Sequence, residues 1–123
     1  MAQIRTFKEL KVWEKSHELV LNIYAITQNF PKEEKFGLTS QIRRAAISVA
    51  SNIVEGFRRR TLKDSLHFYN IADGSLEEVK YQLLLSLDLK FINRNDFNNA
   101  LNLAEATSKM LFFWIKSQKS KSK

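Results

Sequence analysis

The sequence predicts an all-α fold, an antiparallel up-down-up-down four-helix bundle, and three observations carry that prediction. In four long stretches the apolar residues recur at steps of three and four, the spacing that gathers side chains on one stripe of a helix. Only three Gly and one Pro occur in 123 residues, too few for the frequent turns of a hairpin architecture. The links between the stretches are short, which makes consecutive helices antiparallel neighbours. This length suits one domain, and 44% hydrophobic residues suffice for one core. The expected division is a bundle over residues 1–117 and a disordered basic tail, QKSKSK, over 118–123.

The first helix is expected from about Phe7 to Asn29. Leu10, Trp13, His17, Val20, Tyr24 and Thr27 form its main stripe, with Val12, Leu19, Ile23, Ile26 and Phe30 as a second one alongside. Pro31 ends it, because the residue before a proline is pushed out of helical geometry. Lys32 to Phe36 then connects to the densest pattern in the chain, Leu38 to Gly56, whose inward stripe is Leu38, Ile42, Ala45, Val49 and Ile53. Ala46, Ser48, Ala50 and Ser51 flank that stripe and let a neighbouring helix approach the backbone. Asn52 borders it and needs a hydrogen-bond partner, since an unpaired buried amide costs about 1–3 kcal/mol. Gly56 stands where a left-handed C-terminal cap would fall, just before Arg58, Arg59 and Arg60.

Thr61 and Asp64 mark the start of the third helix, the hydroxyl capping an amide and the carboxylate meeting the positive helix end. Leu62, Leu66, Tyr69, Ala72, Leu76, Val79 and Leu83 form its core stripe, and Phe68, Ile71, Leu85 and Leu89 a second. Gly74 in mid-helix costs about 1 kcal/mol against Ala, which points to close packing there against the small face of the second helix. Asn93 or Asn95 caps a fourth helix from about Asp96 to Ser117, with Phe97, Leu101, Ala104, Leu111 and Trp114 inward. The second stripes, with Phe68, Phe112 and Phe113 outside the main seams, leave more apolar surface than one small bundle covers, and self-association would bury it.

With no Cys, neither a disulfide framework nor a thiolate metal site can form. The longest apolar run, Met110 to Ile115, is far short of the roughly 20 residues a membrane span needs, and no signal-peptide core precedes it. These features lead to the expectation of a cytoplasmic protein with no membrane partner. The net charge of +7 permits anionic partners.

Nearly the whole chain resembles the four-helix bundle proteins known as 23S ribosomal RNA intervening-sequence proteins. The resemblance runs through FKELKVWEKSHELV (Phe7 to Val20), FPKEEKFGLTSQIRRAAISVASNIVEGFRRR (Phe30 to Arg60) and IADGSLEEV (Ile71 to Val79). Val54 stands where the family usually has Ala, Ala50 where it often has Pro, and Asp73 where basic residues are common. The resemblance implies a bundle that assembles with itself, commonly as a homopentamer. Genes for some members lie within insertions in large-subunit ribosomal RNA genes, which points toward RNA. It also points to a related bundle, the accessory protein of diversity-generating retroelements, which works with nucleic acid and a reverse transcriptase. Residue by residue, the signature falls on Gln41, Arg43, Arg44, Asn52, Glu55, Gly56, Arg59, Gly74 and Ser75, and it supplies no catalytic assignment.

Two chemistries can be weighed on the residues themselves. Bundles hold di-iron sites built from Glu-x-x-His pairs and further carboxylates, and Glu14 with His17, Asp64 with His67, Glu55 and Glu105 offer the raw material. The geometry opposes it. His67 is rotated about 100° from core position Leu66, and Glu55 and Glu105 sit at heights differing by roughly 15 Å. His17 reads instead as a hydrogen-bonded histidine at the core edge, and no phosphate loop or nucleophile motif appears. The expectation is therefore no metal, no cofactor and no enzymatic activity.

The binding chemistry follows from topology. In an up-down-up-down bundle the starts of helices one and three share a pole with the ends of helices two and four. That pole gathers eleven basic residues against three acidic ones, +8, while the opposite pole balances and the middle carries −1. Arg58, Arg59, Arg60, Lys63, Lys8 and Lys11 are the candidate nucleic-acid contacts, and two helix N-termini add amides suited to phosphate. The competing reading is that the arginines only complement the negative end of helix two. Arg43 and Arg44 lie apart and are expected in salt bridges between helices or subunits. The function expected is a non-enzymatic oligomeric scaffold or adaptor binding RNA or another polyanion through this pole. The alternative is an oligomeric protein-interaction module without nucleic acid.

Overall fold

The computed structural model describes residues 3–121. Four α-helices occupy most of them: α1 Lys11–Thr27, α2 Leu38–Arg58, α3 Leu62–Asp88 and α4 Arg94–Lys121, with short 3-10 turns at Phe7–Glu9 and Lys32–Glu34 and no strand among the described residues. Each helix packs on its two neighbours in a closed square, α1–α2–α3–α4–α1, and among the described residues the backbones of the diagonal pairs stay apart. Contacts along the seams run in opposite directions. Gly56 lies against Tyr69 while Ser48 meets Ser75 across α2–α3, and Tyr69 faces Trp114 while Lys80 reaches Glu105 across α3–α4. The start of α1, at Leu10 to Val12, shares a groove with Met110, Phe113 and Trp114 near the end of α4. Consecutive helices are therefore antiparallel.

The stripe of α2 is buried as its spacing predicts, from Leu38 through Ile42, Ala45 and Val49 to Ile53, and so is that of α3 from Tyr69 to Leu83. Thr61 accepts a hydrogen bond from the Asp64 amide at 3.2 Å, and Asn93, rather than Asn95, accepts from the Asp96 amide at 2.7 Å. These caps satisfy amides that a first helical turn leaves without partners.

Helix α1 departs from expectation in its facing. Its buried residues are Val12, Ser16, Leu19, Ile23 and Thr27, so the stripe taken as secondary supplies most of the core, joined from the expected main stripe by Thr27 and by Leu10 just before the helix. The supposed main stripe carries Trp13, His17 and Tyr24, whose polar tips favour an edge position. Ser16 can be buried because its hydroxyl donates to the Trp13 carbonyl at 2.7 Å. His17 is exposed, stacked on the Trp13 ring with centroids 5.0 Å apart, and is not a core-edge histidine.

Both glycines play different parts from those expected. Gly56 lies inside α2 with no positive φ. A Cβ there would sit 2.7 Å from Cδ1 of the Tyr69 ring, so the missing side chain makes room for Tyr69. The left-handed cap occurs at Lys90 instead, with φ 64°, where the Phe91 amide reaches back to the Ser86 carbonyl at 2.9 Å and closes the end of α3. Gly74 has no atom within 4 Å of where its Cβ would be. The small face of α2 meets Ser75 instead, one residue and about 100° further round the helix.

Helix α4 also runs further than predicted. Residues 118–121, expected in a disordered tail, continue the helix to Lys121, where Lys119 and Lys121 complement the negative end of its dipole. Ser122 and Lys123 lie outside the described residues.

Candidate nucleic-acid interface

The link between α2 and α3 is the centre of the basic pole. Helix α2 ends when Arg59 leaves helical geometry at ψ 155°, its amide still donating to the Gly56 carbonyl at 3.3 Å. The hydroxyl of Ser65 donates to the same carbonyl at 2.8 Å, tying the start of α3 to the end of α2. This corner fixes the three arginines in space. Arg59 is largely engaged: Nε donates to the Glu55 carbonyl at 3.2 Å, a terminal nitrogen lies 4.0 Å from Glu55 Oε2, and the guanidinium covers the Phe68 ring at 5.3 Å. Arg58 and Arg60 are exposed and make no ion pair among the described residues. The three line a shallow depression with Asp64 as its one acidic side chain.

A larger cleft, about 690 Å³, opens on the other side of Arg59 and Arg60. Gln3 and Ile4 of the N-terminal segment, Gly56 and Phe57 of α2, Leu62, Ser65 and Tyr69 of α3, and Trp114, Gln118 and Lys121 of α4 form its walls. Among the described residues no carboxylate lines it. The wall holds donors without partners: Trp114 Nε1 and Gln118 Nε2 are buried and make no hydrogen bond. Tyr69 is only 2% exposed, and burial raises its hydroxyl pKa, an effect countered by the nearby Trp114 indole. The cleft therefore presents positive charge, aromatic faces and hydrogen-bond donors, a set suited to an acceptor-rich ligand with a flat apolar part.

The remaining predicted residues are dispersed. Lys63 is exposed in the first turn of α3, and Lys8 is exposed in the 3-10 turn, where its amide donates to Thr6 Oγ1 at 3.1 Å. Lys11 lines the separate groove between α1 and α4. The amides expected to bind phosphate are partly occupied, since Thr61 takes that of Asp64. Sequence reasoning missed the cleft because it placed Tyr69 and Trp114 in the core and Gln118 and Lys121 in a tail. The signal was present, as Trp114, Gln118 and Lys121 follow one another at steps of four and three.

The signature residues divide between structure and surface. Asn52 is half-buried and donates from Nδ2 to the Ser48 carbonyl at 2.8 Å and to Ser48 Oγ at 3.0 Å. Ser48 Oγ in turn pairs with Ser75 Oγ at 2.9 Å, so a polar chain crosses the α2–α3 seam. Arg43 makes no salt bridge within the chain among the described residues: Nε donates to Thr27 Oγ1 at 2.8 Å, a terminal nitrogen reaches the Tyr24 carbonyl at 3.5 Å, and the guanidinium stacks over Tyr24 at 4.4 Å. It thereby caps the end of α1 from α2. Gln41, Arg44 and Glu55 are exposed, with Gln41 and Arg44 bordering a polar groove that includes Ser75. Of the metal candidates, no three His, Asp or Glu side chains come together among the described residues. Nor is any helix there long and apolar enough to cross a membrane.

No curated protein matches this chain. Among solved structures, it is similar to a crystal structure, at 1.70 Å, of a protein with unknown function from the S23 ribosomal protein family of Bacteroides thetaiotaomicron. The two share 28% sequence identity with a TM-score of 0.77, over 85% of this chain and 98% of that one. The family model described as 23S rRNA-intervening sequence protein matches residues 8–112. Since that match spans most of the four-helix bundle, the chain belongs to the 23S rRNA-intervening sequence protein family.

Proposed function

We propose that this protein is a non-enzymatic, oligomeric scaffold or adaptor that binds single-stranded or irregular RNA through the basic pole. The observation that carries the reading is a cleft lined by no carboxylate, beside two arginines that make no ion pair, among the described residues. Exposed cations beside a cleft without carboxylates attract a polyanion and release its counterions, which makes binding strongly salt-dependent. The family's name adds support for RNA. Self-association, as the pentamer expected from the resemblance, is supported by Phe112 and Phe113, 61% and 56% exposed on α4.

Fluorescence anisotropy with a labelled single-stranded RNA tests the reading. The logarithm of affinity should fall with the logarithm of salt by about 0.7 per contacted phosphate. Replacing Arg58, Arg59 and Arg60 together with Ala should weaken binding and flatten that slope. Replacing Lys32 and Lys35, at the opposite pole, should change neither. Light scattering coupled to gel filtration measures the assembly, and a monomer mass at micromolar concentration would sink that part. The apolar groove beside Phe113, about 440 Å³ between α1 and α4, favours a second reading, an oligomeric protein-interaction module without nucleic acid. Absence of RNA binding even at low salt would establish it over the first.

A further inference from the structure

We infer that the 690 Å³ cleft at the basic pole receives one nucleotide of a single-stranded chain, its base inserted among Phe57, Tyr69 and Trp114 and its phosphate held by Arg60. The inference rests on the RNA-binding reading and adds a defined base pocket to it. Three features of the cleft lead there. Its volume falls within the range of small-molecule sites, about 300–1,000 Å³. Its lining joins three aromatic rings to Arg59, Arg60 and Lys121 with no carboxylate, so an anion with a flat apolar body fits both halves. Its wall also contains the buried donors Trp114 Nε1 and Gln118 Nε2, which make no hydrogen bond among the described residues, and Tyr69, 98% buried, sets its ring edge-on to that of Trp114 with centroids 6.5 Å apart.

Those donors discriminate between ligands. A sugar phosphate could satisfy the cations but would leave the rings uncovered, and an aliphatic or aromatic hydrocarbon would leave the donors unpaired. A nucleobase supplies both a face to stack and carbonyl or ring-nitrogen acceptors at its edge. Gln118 is the movable member. It stands on the last turns of α4, and rotation of its side chain turns the amide nitrogen from the wall into the cleft. Arg59 is held by Glu55 and Phe68, so it shapes the rim, while Arg60 is left to take the phosphate.

Tryptophan fluorescence reads the pocket directly, because the chain has two Trp residues and Trp13 lies elsewhere, stacked on His17. In the Trp13→Phe variant, Trp114 alone emits. A ten-nucleotide oligouridylate should quench it saturably, and the abasic ribose-phosphate decamer should not. Anisotropy should show the oligouridylate binding about 5- to 100-fold more tightly than the abasic chain, the span of one stacked base. Gln118→Ala, a change near the helix end, should narrow that ratio without altering the salt slope. Equal affinity for both decamers, with Trp114 emission unchanged, overturns the pocket and leaves the basic-pole reading standing. If neither decamer binds at low salt, both readings fall.

Discussion

Two glycines on one pair of packed helices should respond to the same substitution with opposite sign. Replacing Gly with Ala inside a helix stabilises by about 1 kcal/mol when the methyl meets nothing, since the unfolded chain loses freedom and the helix gains a better former. At Gly74 the methyl would meet nothing within 4 Å, so Gly74→Ala should raise stability by about 0.5–1 kcal/mol. At Gly56 it would lie 2.7 Å from Cδ1 and 3.0 Å from Cζ of Tyr69, with Cε1 closer still. These are ring atoms of a side chain buried between α2, α3 and Trp114, not the end of a flexible one. Overpacking of this kind costs about 1–3 kcal/mol and occasionally more. Set against the propensity gain of about 1 kcal/mol, Gly56→Ala should lose about 1–2 kcal/mol, a fall in Tm of roughly 3–10 °C for a chain of this size. Urea unfolding of the two variants beside the parent measures both. A neutral or stabilising Gly56→Ala would refute the close approach of Tyr69. A destabilising Gly74→Ala would show that a neighbouring subunit occupies the space beside it in the assembly.

Asn52→Leu should lower the unfolding free energy in urea by about 1–2 kcal/mol, because it removes the donor that Ser48 accepts from in the polar chain to Ser75; an unchanged midpoint would make that chain ornamental. Stability should decline as pH rises past 10. Burial raises the folded-state pKa of Tyr69, and although burial opposes the charge on Lys80, Glu77 and Glu105 raise its pKa on balance. Both groups hold their protons in the folded state at pH values where the unfolded chain releases them, so their contribution is complete below the unfolded values and is lost above them. Tyr69→Phe should make the alkaline slope shallower in a pH series of thermal melts, and an identical slope would count against the buried hydroxyl. The arginines should separate: Arg59→Ala should lower the melting temperature more than it weakens RNA binding, whereas Arg58→Ala with Arg60→Ala should do the reverse in paired melting and anisotropy measurements.

The fold was legible because its largest signals are local. The stripe of α2 and the caps at Thr61 and Asn93 depend on spacing and on side-chain chemistry within a turn or two, and each is where the sequence places it. The facing of α1 was not legible by spacing alone, since both of its stripes have helical periodicity. What decides between them is that Val12, Leu19 and Ile23 carry no polar atom, while Trp13, His17 and Tyr24 do, and Ser16 is satisfied by its own helix. The glycines were misread because a glycine in a sequence shows only that a side chain is missing. Whether that serves backbone conformation, as expected for Gly56, or a neighbour's ring, as found, is a property of the facing helix. The cleft was hidden for a related reason: its walls come from the N-terminal segment and three helices, and polarity at the end of α4 reads as a tail until the helix is seen to continue.

The arrangement at the α2–α3 corner separates two explanations that the sequence left open for the arginine run. Had the three residues only complemented the negative end of α2, each would lie against its last turn, in contact with its terminal carbonyls or with an acidic neighbour. Arg59 does so through the Glu55 carbonyl and carboxylate, and Arg58 stands in that last turn, but Arg60 does neither. The engagement of Arg59 consumes the one acidic side chain in the final turn of α2, and Asp64, the other carboxylate at the corner, forms no ion pair with Arg58 or Arg60. The dipole of a helix end acts only within its last turn, and Arg60 lies beyond the residue at which α2 stops. Arg58 and Arg60 therefore flank a corner tied by the Ser65–Gly56 hydrogen bond and make no ion pair among the described residues. Stability alone gives no reason for that arrangement, since like charges next to one another in a short link repel. An anion brought from outside would relieve that repulsion, which is what the triple arginine replacement tests.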